Sequence, residues 1–154
     1  MANYVLSDEA LYALLIGRHK DKQESEHVKF QEWAKKHTSE DYYFASRMSV
    51  ARLAAGIERI DSAMKRDSTR AKLNSELISQ FKDSLLEVDE SVLKHWSALR
   101  ASANDADPER LSSEQLIEIA TAMHTGYTYV ASLTETLKTV QQNVDGLSVE
   151  DPWI

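Results

Sequence analysis

The chain has 154 residues, 42% of them hydrophobic and 28% charged, with a formal net charge of −7 and no cysteine. That balance belongs to one folded domain rather than a disordered chain, and it excludes disulfide scaffolds, thiolate metal centres and cysteine nucleophiles together. Four glycines and two prolines argue for long helices and against a turn-rich β fold. No apolar run nears the ~18 residues that span a bilayer, and the start, Met1-Ala2-Asn3-Tyr4-Val5-Leu6, lacks a basic leader segment. A cytoplasmic protein with no membrane contact is expected.

Ser7-Asp8-Glu9 reads as a helix start, with anions on the positive end of the helix dipole. Leu11, Leu14 and Leu15 follow, and Gly17 is its stop. A second short helix carries Phe30, Trp33 and Ala34 and ends near His37. Ser39 is placed to cap a long helix over residues 40–66, where Tyr43, Val50, Leu53, Ile57, Ile60 and Met64 recur at helical spacing. A second rod over residues 70–103 carries Leu73, Leu77, Phe81, Leu85, Val88, Val92, Trp96 and Leu99, and Asn104 to Pro108 ends it. Ser112 and Gln115 form a capping box for the third rod. Its stripe runs through Leu116, Ala120, Met123, Tyr127, Val130, Leu137, Val140 and Val144 to Gly146. The reading is an all-α antiparallel helical bundle, coiled-coil-like, of three long helices plus two short N-terminal helices. It forms a single helical-bundle domain over residues 1–154 with an acidic tail at 147–154. The short helices cover less length than the rods, so association with a second copy or a protein partner is expected. Trp153-Ile154 is expected to fold back onto the bundle.

Charge is unevenly placed. Residues 1–100 carry 16 basic and 16 acidic side chains, whereas residues 101–154 carry only Arg110 and Lys138 against nine acids. Phosphate-binding glycine loops and nucleophile elbows are missing from the sequence. Glu24-x-x-His27 lacks the second copy that a di-iron bundle needs. Glu58/Asp61 and Glu87/Glu90 fall too far apart along a hairpin to share an ion, and Asp105-x-Asp107 lacks the glycine and glutamate of a calcium loop. The expectation is therefore no enzyme, no metal and no cofactor.

Two patterns rise above that background. Arg52, Arg59 and Arg66 repeat every seven residues, Arg70 continues the row, and no acid stands three or four residues from the first three. Unpaired guanidinium groups beside small neighbours suit phosphate or carboxylate contact. Thr121, Thr125, Thr128 and Ser132 begin an uncharged polar row that suits a helix–helix interface. A non-catalytic, oligomeric interaction module that binds a protein partner through helix faces is the expected function. Nucleic acid is the second partner class, with the arginines on the phosphate backbone of a nucleoprotein assembly. A small-ligand sensor with its site near Trp96 and Tyr127 is the third reading.

Overall fold

The computed structural model describes residues 2–37, 41–102 and 110–154. Its centre is a five-stranded parallel sheet in the order β3-β2-β1-β4-β5. The strands are short: β1 Asn3–Leu6, β2 Tyr42–Ser46, β3 Leu85–Leu86, β4 Thr128–Val130 and β5 Val149–Glu150. Between them lie α1 Asp8–Leu15, α2 Glu24–Lys36, α3 Arg47–Glu58, α4 Ala63–Phe81, α5 Glu90–Ser102, α6 Ser113–Thr125 and α7 Glu135–Asn143. The all-α bundle is therefore overturned: the protein is α/β, with helices on both faces of a parallel sheet.

Side-chain alternation along the strands divides the core in two. Tyr4, Leu6, Ala45, Leu85 and Val130 face one cluster with Leu11, Phe30, Leu53, Leu73 and Phe81, from α1 to α4. Val5, Phe44, Leu86, Tyr129 and Val149 face the other, with Val92, Leu99, Ile119 and Leu137 from α5 to α7. A strand covered on both faces is apolar at successive positions, as in Tyr4-Val5-Leu6, and shows no polar–apolar alternation.

Each expected rod breaks for a local reason. Over residues 40–66, β2 ends at Ser46, whose hydroxyl caps α3 by accepting from Met48 N–H. A second break follows Arg59, and Ser62 caps α4. Tyr43, Val50, Leu53, Ile57 and Ile60 do lie on one side, in the first cluster, but Met64 is 84% exposed. The second rod is cut by β3, and its stripe changes face there. Leu73 through Leu85 belong to the first cluster and Leu86 through Leu99 to the second. The third rod ends at Gly126, whose φ of 75° supplies the left-handed C-cap that turns α6 into β4.

Several local readings hold. Ser7 caps α1 by accepting from Ala10 N–H, α2 ends at His37, and the Ser112–Gln115 capping box is formed. Trp153 is 2% exposed and stacks on Phe30 at a centroid distance of 5.2 Å, so it folds back on the core, whereas Ile154 is 84% exposed. Ser39, Asp105 and Asp107 lie outside the described residues. The uncovered stripe that argued for association disappears, because the sheet supplies the cover that the short helices lack.

Candidate functional site

The order β3-β2-β1-β4-β5 places β2 and β3 to one side of β1 and β4 and β5 to the other. The connections thus diverge between β1 and β4, and a crevice opens at the carboxyl ends of those strands, where open α/β sheets bind ligands. A cleft of about 820 Å³ lies there, with Ser7, Asp8, Arg52, Arg59, Lys20 and Tyr129 among its lining residues.

Its floor is built from the strand ends upward. Ser7 follows β1 and its N–H donates to Val130 O on β4 at 3.0 Å. Ser49 Oγ on α3 donates to Leu6 O, and Thr121 Oγ1 on α6 donates to Ser46 Oγ, both at 3.3 Å. These bonds, one from a backbone N–H and two from buried hydroxyls, lock α1, α3 and α6 to the sheet and fix three charged side chains. Arg52 Nη1, one turn into α3, lies 3.1 Å from Asp8 Oδ1 and 2.8 Å from Glu118 Oε2. Glu118 Oε1 accepts from the Tyr129 hydroxyl at 2.9 Å and from Asp8 N–H at 3.3 Å.

Exposure divides the three. Glu118 is 0% exposed, whereas Asp8 and Arg52 present 23% and 24% of their side chains to solvent. Burial, and then the nearby Asp8 carboxylate, push the Glu118 carboxyl up to about 7, against the lowering effects of Arg52 and the Tyr129 hydroxyl. Its neighbour Tyr129 is driven well above the ordinary phenol range by burial and by Glu118. The Arg52 guanidinium is raised, the carboxylates of Glu118 and Asp8 outweighing its desolvation. The cleft therefore holds a fixed cation open to an incoming anion, an accessible carboxylate beside it, and a buried proton site that titrates near neutrality.

Asp8 and Glu118 are oxygen donors of the type hard divalent cations select, yet they do not fit one here. Both Glu118 oxygens are already bonded, and the point between the two carboxylates is filled by Arg52 Nη1. Among the described residues no three His, Cys, Asp or Glu side chains gather as a metal site.

The four arginines are not brought together as a row. Arg52 and Arg59 line the cleft. Arg66 donates to Ile60 O at 3.0 Å, and Arg70 pairs with Glu58 and Asp67. Nor do the hydroxyls form a helix stripe. Thr121 and Thr125 sit on α6, Thr128 is in β4, and Ser132 follows that strand. Only Ser132 of that set lines the cleft. Trp96 and Tyr127 pack in the second core cluster. Sequence reasoning missed Asp8, Glu118 and Tyr129 as a unit. The available signal was Glu118 itself, a lone acid inside Leu116-Ile117-Glu118-Ile119-Ala120, since a carboxylate on a buried face needs a partner.

No family model and no curated protein matches the sequence. Solved structures do match its fold. A chain of FitAcB from Neisseria gonorrhoeae aligns at TM-score 0.73 and 18% identity, over 97% of this chain and 98% of that one. A chain of DNA-bound VapBC from Salmonella typhimurium aligns at 0.67 and 16%, over 99% of each. VapBC-5 from Mycobacterium tuberculosis, of a family of toxin–antitoxin systems, aligns at 0.64 and 14%, over 98% and 99%. The fold is the α/β fold shared with these FitAcB and VapBC chains. This overturns the non-catalytic helical module and the expectation of no enzyme. The first rested on the helical bundle and the second on the lack of local catalytic motifs, whereas the fold converges charged groups distant in sequence at a sheet switch point. No helix among the described residues is long and apolar enough to cross a membrane.

Proposed function

We propose that this chain is a nuclease-type protein of VapC-like fold whose cleft takes a single-stranded nucleic acid, and that it works with a protein partner as the VapBC systems do. The observation that carries the reading is Arg52, held by Asp8 and Glu118 at the switch point yet still open to the cleft. A phosphate arriving there meets a pre-oriented guanidinium that needs no reordering. Arg59 and Lys20 offer two further phosphate contacts along the same cleft. The neighbouring rings of Tyr12 and His19, edge-on to each other at 5.6 Å, supply flat faces for a base.

Acidic lining residues, Glu9, Asp21 and Glu114, oppose a polyanion, so affinity depends on a few aimed contacts rather than a broad field. Glu9 is already engaged, accepting from Ser132 N–H at 2.6 Å.

The test is fluorescence anisotropy with labelled single-stranded RNA and DNA, followed by denaturing gels for cleavage. Three phosphate contacts predict a log–log salt slope of about −2, at about 0.7 per phosphate. Arg59→Glu and Lys20→Glu, both at exposed positions, should weaken binding while leaving the fold intact. Binding unaffected by either change, or none by the native protein, refutes the reading.

A further inference from the structure

We infer that Arg52 is a built-in cation holding the place of a divalent ion between Asp8 and Glu118, and that replacing it with a carboxylate turns the cleft into a divalent-cation site. The inference is independent of what strand the cleft takes.

The geometry is that of one cationic group bridging two carboxylates at ion-pair distances, the position that a shared cation would take. One nitrogen, Nη1, contacts an oxygen of each carboxylate at 3.1 and 2.8 Å. The carboxylates come from different elements, Asp8 from the start of α1 and Glu118 from the middle of α6, and the cation bridges them from α3. The site remains organised around the cation. Tyr129 hydroxyl and Asp8 N–H hold the second Glu118 oxygen and aim the first at Arg52, as outer partners orient a metal-bound carboxylate. Ser46 and Ser49, both fully buried, fix the first turn of α3, one turn before Arg52.

A tethered guanidinium differs from a diffusible ion in three ways. Chelators cannot remove it, its charge is +1, and it excludes a second cation by occupancy and repulsion. With Arg52→Glu the same point is faced by three carboxylates, the oxygen-rich environment that hard cations favour, and affinity in such sites rises with ligand charge.

The experiment titrates Mn2+ into the full chain and follows free Mn2+ by electron paramagnetic resonance, with thermal unfolding measured in parallel. The native protein is expected to show no Mn2+ site in the cleft. Arg52→Glu should bind one Mn2+ at least about tenfold more tightly than any native site and unfold at a higher temperature in its presence. The gain should vanish in Arg52→Glu/Asp8→Asn. Arg52→Gln, which removes the charge without adding a third carboxylate, is the second variant, expected to bind Mn2+ more weakly than Arg52→Glu. Native binding that Asp8→Asn abolishes would overturn the inference. So would folded variants that gain no Mn2+, or variants that fold neither with nor without it, since the ion would then be unable to replace the guanidinium. Loss of strand binding by the native protein would bear only on the proposed function.

Discussion

Two places in this molecule partly bury charged groups, and they do so by opposite means. In the cleft, Glu118 is neutralised by Arg52 and titrates upward, to about 7. Across the sheet, between α2 and the strands, Asp41 is lowered, first by the hydrogen bond from Ala2 N–H and then by that from His37. Around it Tyr4, Trp33, His37 and Tyr43 pack ring against ring, with centroids 5.0–6.1 Å apart. Trp33 Nε1 also donates to Glu150 at 2.8 Å. Tyr4 is pushed up to about 12 there, mainly by burial. Aromatic packing and these polar bonds together fasten α2 to the sheet. The cleft instead keeps its cation partly exposed, open to an incoming anion.

Breaking the cleft's side of the comparison should have the largest effect. Arg52→Ala leaves Glu118 buried without a counter-ion, and urea unfolding should register a loss of about 3–5 kcal/mol at neutral pH. The pH dependence follows from Glu118. Its folded value lies above the unfolded one, so the native state holds a proton that the unfolded chain has released. Stability should therefore fall as pH rises from about 4.5 to about 7, by about 3 kcal/mol if this group acts alone. Glu118→Gln should flatten that slope, and an unchanged slope would show that another group carries it. Tyr129→Phe removes one donor to Glu118 and should cost about 1–3 kcal/mol in the same denaturant assay. It should also move the Glu118 titration to higher pH.

Asp41 behaves with the opposite sign. Its lowered value adds stability above the unfolded carboxylate range, and that contribution disappears as pH falls through the folded value. Asp41→Asn should remove this part of the acid limb without altering the neutral slope assigned to Glu118. The smallest expected effect on stability is at Arg59, where Arg59→Glu should stay within about 0.5 kcal/mol by urea unfolding.

How much of this was legible in the sequence varies by element. Helix caps at Ser7 and Ser112 are local chemistry and were readable, and so were buried helix positions such as Leu53, Ile57, Leu73 and Leu99, whereas Tyr4, Val5, Leu6 and Ala45 in the strands were not. The sheet was not, because β3 and β5 have two residues each, below any period that a window can detect. The scarcity of glycine misled for a physical reason. Tight hairpins need glycine, but parallel strands are joined through helices, and serine and threonine caps do that work here. At Leu85-Leu86 adjacent residues face opposite sides of the sheet, so two stripes on different layers read as one continuous heptad. Arg52 was singled out for having no helical ion-pair partner. Its partners are 44 and 66 residues away, a distance at which sequence spacing says nothing.

The position of β1 also orders events during folding. This strand precedes the other four in the chain and is central to the sheet, and its pairing with β4 must wait for residues 128–130. Glu118 reaches Asp8 across 110 residues of chain. Loop closure of that length is slow, and a nascent chain from which α6 and β4 have not yet emerged has neither a Glu118 to seat Arg52 nor a finished cleft. Such a chain leaves the flank of β1 open to chaperones or to mispairing, and the charged site cannot form before residue 118 is available to Asp8 and Arg52.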